Sequence, residues 1–271
     1  LNSNHQFFNE PQRDVTISAG VTKLPCFFKK VHYTVCLFAT SNEALMNLLK
    51  GTGLVPALKW GRSYVVAIGL VQYEESDLGS YNEVIVAIPS IPEGMKKPFS
   101  SWLDLIGSLE NRKVGQHIIH IPVTSEFSRV SGYELWGYPK ITTLVEHEFQ
   151  DASLHSKVFD PVSHELIAEV EGRLGFGIPS IPLSLITYSF MNERLMRTKV
   201  KVSGMMKLRL NHSIRLTVGE SNHPMSNDLR MLGLDGKKPF LVMDTDKFQS
   251  VFHEASPYDA LVCTGIFKSQ Q

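Results

Sequence analysis

Short apolar stretches rich in β-branched and aromatic residues recur along most of this chain, and few segments carry a helical period. Lys30 to Ala39, Ser63 to Tyr73, Glu83 to Ser90, His117 to Val123, Ile141 to Phe149, Ser153 to Phe159 and Leu166 to Leu174 are each bounded by Gly, Pro or polar residues. Such runs read as strands. Lys199 to Leu210 and Ile214 to Val218 read as another pair with Asn211-His212-Ser213 at the turn, and Leu241 to Met243 closes the set. The run Ile141 to Phe149 alternates imperfectly, being apolar at 141, 144, 145 and 149. Helical candidates are 41–50, introduced by the capping-box spacing of Thr40 and Glu43, then 101–110 and 246–253. Many strands at short spacing with few helices predict a mainly β chain (α+β by content), an antiparallel β-barrel or sandwich rather than a βαβ sheet. No composition break marks a linker, so one domain is expected over 1–271. Its polar first residues, 1–24, are expected to lie loosely on the surface.

Charge narrows the function. Lys+Arg and Asp+Glu both count 27 in 271 residues, with 43% hydrophobic residues. A disordered chain is excluded by that balance. A nucleic-acid binder would show a basic excess or stripe, and a polybasic membrane-surface protein would too. Neither pattern is present. No apolar run approaches the roughly 20 residues that span a bilayer, and the first residues lack the basic and apolar regions of a secretory signal. Three cysteines, Cys26, Cys36 and Cys263, make no disulfide framework. These features predict a cytoplasmic protein.

Most chemical motifs fail. His117 and His120 stand three apart in a strand-like run, which predicts opposite faces and poor co-ligands. Glu146-His147-Glu148 lacks the second histidine of a zinc-protease helix and reads as a solvated strand face. Gly175-Phe176-Gly177 lacks the third glycine of a dinucleotide fingerprint. The cysteines have no paired spacing for zinc. No metal is expected.

One segment differs. In Gly132-Tyr133-Glu134-Leu135-Trp136-Gly137-Tyr138-Pro139-Lys140, two glycines, a proline and three aromatics surround one lysine. Pro139 biases Tyr138 to extended geometry, and Lys140 opens an apolar run. A lysine tucked beside Trp136 and Tyr138 would be desolvated. Burial favours the neutral amine, and a neutral amine attacks carbonyls. The competing reading is an exposed lysine lying over aromatic surface.

Glu134-Leu135-Trp136-Gly137-Tyr138-Pro139-Lys140 resembles the Glu-Leu-x-x-Tyr-Pro-Lys motif around the Schiff-base lysine of the acetoacetate decarboxylase family. Leu78-Gly79-Ser80-Tyr81-Asn82-Glu83 with Ala87-Ile88-Pro89 resembles its Leu-Gly-x-Tyr-x-Glu stretch, and Arg215-Leu216 with His223-Pro224-Met225 is a weaker third block. The resemblance covers residues 25–252. It implies an antiparallel β-barrel or cone with a few short helices, assembled as a homo-oligomer. Lys140 is then the nucleophile and Glu83 a proton shuttle. Glu134, Tyr138 and Trp136 line the substrate site. The family's substrate-carboxylate arginine near the start of the first strand is not reproduced, and Lys30, beside Lys29, is the nearest cation to take its place as partner for the carboxylate. The chain departs from the family at Ile141, where a second lysine is usual, and near Ile68, where the family carries another glutamate. Arg62 and Arg129 are the alternative cations. Residues 95–115, containing Trp102, form an apparent insertion: a lid, an oligomer contact or decoration.

The resemblance implies decarboxylation of a β-keto acid such as acetoacetate, with aldolase or dehydratase chemistry, or a non-catalytic ligand-binding barrel, as alternatives. An unperturbed lysine titrates at about 10.4, so roughly one amine in 2,500 is neutral at pH 7. Acetoacetate decarboxylase is itself the usual example of a lysine activated by desolvation or a neighbouring cation. No cofactor is expected, because the lysine iminium supplies the electron sink.

Overall fold

The computed structural model describes residues 4–150, 152–210 and 212–258; Cys263 lies outside them. In chain order the elements are α1 (Asn4–Phe7), β1 (Arg13–Ile17), β2 (Gly20–Leu24), β3 (Cys26–Thr40), α2 (Asn42–Leu49), β4 (Leu54–Pro56), β5 (Lys59–Trp60), β6 (Ser63–Ser76), β7 (Tyr81–Pro92) and α3 (Ser101–Asp104). There follow β8 (Gly115–Val123), α4 (Glu126–Trp136), β9 (Lys140–Thr142), β10 (Val145–Gln150), β11 (Ser153–Phe159), β12 (Leu166–Arg173) and β13 (Phe176–Ser180). The last are β14 (Leu185–Met191), β15 (Arg194–Ser203), β16 (Met206–Leu210), β17 (Arg215–Val218), α5 (Pro224–Met231), β18 (Leu241–Phe252) and β19 (Ser256–Pro257).

Seven strands close a barrel in the order β18-β3-β6-β7-β8-β14-β15, with β15 returning to β18. The pairs are antiparallel except β8–β14, which is parallel. A second sheet, β10-β11-β12-β17, covers part of the barrel's outside together with α5. This explains the near-continuous burial of β6. Val66, Ile68 and Leu70 pack outward against the second sheet, in one core with Val145, Val158 and Ile167. Ala67, Gly69 and Val71 face the barrel interior. A strand covered on both faces loses its alternation of apolar and polar residues.

The mainly β barrel expected from sequence is present, and several local expectations are corrected. Residues 13–24 form a β-hairpin with Ile17 and Leu24 buried, rather than a loose segment. Thr40 does not cap α2: Ser41 holds the cap position without a side-chain bond, and the Thr40 hydroxyl donates to Leu232 O. Residues 246–253 lie largely in β18. Two register shifts there, between Thr245 and Phe248 and between Phe248 and Ser250, space the apolar residues as a helix would. Lys199 to Leu210 divides between β15 and β16, and β17 pairs with β12 in the other sheet. Ile141 to Phe149 likewise divides into β9 on the barrel and β10 on the outer sheet. The helices α4 and α5 were not expected.

Candidate active site

Helix α4 and the turn after it deliver the lysine. Ser125 opens the helix, its hydroxyl accepting the Ser128 amide at 3.2 Å. Gly137 closes it in the left-handed region, φ 65°, with Tyr138 N–H bonded to Gly132 O at 3.0 Å. Glycine enters that region without steric cost. Pro139 prevents the helix from resuming, and the chain leaves as β9, where Lys140 sits beside Ile121 of β8. The Lys140 side chain runs back across α4 at Gly132, where an added Cβ would stand 2.5 Å from Lys140 Cδ. Gly132 is therefore the channel through which the lysine reaches the interior.

Strand β7 delivers the carboxylate. Its alternation turns Tyr81, Glu83, Ile85, Ala87 and Pro89 inward. Glu83 Oε2 accepts a bond from Lys140 Nζ at 2.7 Å, and both side chains are only 4–5% exposed. Lys140 Nζ also lies 2.9 Å from Ser128 Oγ and 5.3 Å from the centre of the Tyr81 ring. Tyr73 donates its hydroxyl to Glu83 Oε1 at 3.3 Å, and Tyr81 bonds Ser128 and Tyr73. Burial, then the Glu83 charge, raises both phenols well above 10, so they remain protonated donors. Behind Glu83, His147 Nε2 meets its backbone oxygen at 3.1 Å, and Nδ1 meets Ser156 Oγ at 3.0 Å. Burial pushes His147 down to about 4. Glu146 and Glu148 lie on the solvated face expected for 146–148, whereas His147 turns inward as a neutral imidazole packed behind the site.

The pair lines a cavity of about 460 Å³ inside the barrel. Trp136 and Tyr138 are on its wall. Each is anchored by a polar tip, Trp136 Nε1 to His253 O at 2.8 Å and Tyr138 to Thr187 Oγ1 at 2.7 Å. Two other expected residues are elsewhere. Glu134 faces the surface, where Ser18 donates its amide (3.0 Å) and its hydroxyl to the carboxylate, holding the β1–β2 turn against α4. Those bonds keep the Glu134 carboxyl below its ordinary range. Lys30 is exposed and paired with Glu74. A bulge between Phe28 and Val31 alters the register of β3, so a cation near its start does not enter the barrel. Arg129 is bound to Glu126 on the surface, and Arg62 is not on the wall. Among the described residues, Lys140 is the one cation lining this cavity.

Ser128, Tyr73 and Tyr81 complete the polar cluster, and sequence reasoning did not single them out. Ser128 lies twelve residues before Lys140, a separation set by the length of α4 and its turn. Tyr81 had a signal, since it sits in the Leu78–Glu83 block. His117 and His120 both face away from the cavity, contrary to expectation. A bulge in β8 brings Ile118 and Ile121 to the same side, leaving His117 on Tyr188 O and His120 on Asp228. The third block also lies outside the cavity: His223 caps α5 through the Met225 amide. On the outer sheet, His155, Glu169 and Glu171 bring ligand-type atoms within 4.8 Å of one another, remote in the fold from this cavity. His155 is already bound to Glu169 there.

A family model described as acetoacetate decarboxylase (ADC) matches residues 11–205. No curated protein matches the chain. Among solved structures, the acetoacetate decarboxylase of Legionella pneumophila subsp. pneumophila strain Philadelphia 1 is similar at 15% identity and TM-score 0.62, over 95% of this chain and 98% of that one. The enduracididine biosynthesis enzyme MppR, complexed with the condensation product of pyruvate and imidazole 4-carboxaldehyde, is similar at 12% identity and TM-score 0.58, over 86% and 88%. An acetoacetate decarboxylase-like enzyme from Sphingomonas wittichii RW1 is similar at 12% identity and TM-score 0.57, over 86% and 92%. Likeness at these identities is one of fold; the family model, spanning most of the sequence and both of its strongest motif blocks, places this chain in the acetoacetate decarboxylase family.

Proposed function

We propose that this protein is a Schiff-base lysine enzyme that decarboxylates a β-keto acid. The observation that carries the reading is the buried Lys140–Glu83 pair, 2.7 Å apart in an otherwise largely apolar cavity. An ammonium cannot attack, so its proton must leave first, and Glu83 is the acceptor within bonding distance. Transfer leaves a neutral amine beside a neutral acid, which suits a site that must admit a carboxylate.

The amine then adds to the ketone, and Glu83 returns its proton as water leaves, giving the iminium. The bond to the carboxylate breaks, its electron pair passes into the iminium, and carbon dioxide departs. The enamine takes one proton at carbon, and water releases the ketone. The net change consumes the β-keto acid and one proton and yields ketone and carbon dioxide. Tyr73, Tyr81 and Ser128 hold the two reacting groups in register. An apolar wall favours the step that turns a carboxylate into a neutral gas, because the anion gains little solvation there. No cofactor enters the scheme. The protein is further proposed to work in the cytoplasm as a homo-oligomer, on the habit of the family; among the described residues no helix is long and apolar enough to cross a membrane.

One observation favours a second reading. Among the described residues no cation but Lys140 is on the wall to hold an intact carboxylate, and the same iminium can drive aldol, retro-aldol or dehydration steps. Borohydride reduction with acetoacetate and a panel of keto acids and aldehydes, followed by peptide mapping, tests the shared step. The expected result is a substrate-dependent adduct on Lys140 that is lost in Lys140→Ala. Carbon dioxide release alongside the adduct supports the decarboxylase, and an adduct without it supports the alternatives. No adduct with any member of the panel leaves a ligand-binding barrel.

A further inference from the structure

The cavity is much longer than a site for a molecule as small as acetoacetate needs to be. Along β7 it is lined from Glu83 to Pro89, roughly 20 Å at about 3.4 Å per residue. Along β8 it is lined from Ile121, beside Lys140, back to Gln116. The two ends differ. The reactive pair is buried, whereas Trp102, Ile106 and Ile181 line the far end and are 36%, 60% and 70% exposed. The cavity is therefore a tunnel with its chemistry at the closed end and an apolar mouth.

The apparent insertion builds that mouth. Trp102 Nε1 donates to Lys59 O at 2.9 Å, and Asp104 Oδ2 accepts the Lys113 and Val114 amides at 2.9 and 2.7 Å. Buried Arg112 donates to Gly107 O at 2.5 Å and to Ser184 O, tying residues 107–112 to the segment that carries Ile181. A wall with these bonds is a fixed part of the barrel. Between the ends the bore passes Ala67, Gly69, Ile85 and Ala87, and its wall is mostly apolar, with the hydroxyl of Tyr33 beside Gly69 and the side chains of Gln116 and Thr187 as polar exceptions.

The geometry points to a β-keto acid whose ketone carries a long unbranched alkyl chain, with the reacting carbons at Lys140 and the chain running along the bore to the mouth at Trp102 and Ile106. This rests on Lys140 being the nucleophile. The chain replaces the charged recognition that the wall lacks: binding energy comes from apolar burial remote from the reaction and holds the carboxylate beside the amine without a second cation.

The test is a chain-length series of 3-oxo acids, read as kcat/KM from carbon dioxide release and as the yield of the borohydride adduct on Lys140. Each buried methylene should raise kcat/KM about fourfold until the chain reaches the mouth, after which the gain stops. Ala87→Phe, narrowing the bore roughly 14 Å from Glu83, should move that plateau to a shorter chain. A kcat/KM that is flat or falls beyond acetoacetate overturns the inference. Straight-chain primary alcohols, which form no imine, separate this inference from the reaction it rests on. If their affinity for the unmodified enzyme climbs with length while no 3-oxo acid gives an adduct, the tunnel stands and the lysine chemistry falls. If adducts form but neither alcohol affinity nor kcat/KM responds to length, the long-chain substrate falls and the lysine chemistry stands.

Discussion

Lys140 and Glu83 are a buried pair, and burial makes each the condition for the other's charge. Removing one partner strands a charge in an apolar cavity, which costs about 3–5 kcal/mol. Replacing both by neutral groups of similar shape removes the charge and the penalty together. Lys140→Met and Glu83→Gln should therefore each lower the urea midpoint, and the double variant should recover most of the loss while remaining inactive. Additive losses in the double variant would mean that the two residues are not coupled. Gly132 gives a sharper test of positioning, because it touches no substrate. A methyl group at Gly132 must displace the Lys140 stem, whose head is fixed by Glu83 and Ser128. Gly132→Ala should lower the rate of borohydride trapping at least tenfold, with far-ultraviolet circular dichroism unchanged. A normal trapping rate would show that the stem has room to move.

Among the elements, α4 carries most of what the sequence displayed and most of what it concealed. Lys140, Tyr138 and Trp136 were legible because Pro139 and Gly137 punctuate the chain beside them. The helix before them was not, because Gly132 weakens a helical pattern and its reason for being there is the lysine that crosses it. Ser128 could not be found for the same reason: only the finished helix brings it under Lys140. Ile141 to Phe149 showed its break as lost alternation, where the chain leaves the barrel for the outer sheet. The bulges in β3, β8 and β18 were invisible, since each changes a residue's face without changing composition, and they account for Lys30, the paired histidines and the false helix at 246–253. Glu134 belongs to the motif, yet its observed work is to hold the β1–β2 turn through Ser18. Glu134→Ala should leave kcat within a factor of about two and speed proteolytic cutting within residues 13–24. A large fall in kcat with no change in cutting would return Glu134 to the catalytic machinery.

At the scale of the whole molecule, the barrel and the outer sheet meet along a seam that contains histidines held neutral. His147 of β10 bonds the Glu83 backbone oxygen, and His32 of β3 stacks on Phe149 of β10 at 3.8 Å. Burial lowers both, as it lowers His117 elsewhere in the barrel wall, and His147 falls to about 4 from an ordinary 6.5. The sign follows from proton binding. Between pH 6.5 and 4 the unfolded chain takes up protons that the folded seam refuses, so stability falls as pH falls through that window. His147 alone contributes up to about 3 kcal/mol of that loss, at 1.36 kcal/mol per unit. Glu126 and Asp160, held down to about 2 by their hydrogen bonds, act in the same direction as pH falls through their ordinary values of 4.5 and 3.8, at the acid end of that window and below it. Urea midpoints measured from pH 7.5 to 4 should therefore decline before the carboxylates begin to protonate. His147→Gln should flatten that decline even if it is less stable at pH 7, because glutamine cannot titrate. The loosening should begin at the seam, so amides of β10 should gain hydrogen exchange before those of the β3–β6 pair. A variant with the parent's full slope would remove His147 as the cause, and simultaneous exchange in both regions would mean that acid unfolds the barrel and outer sheet as one unit.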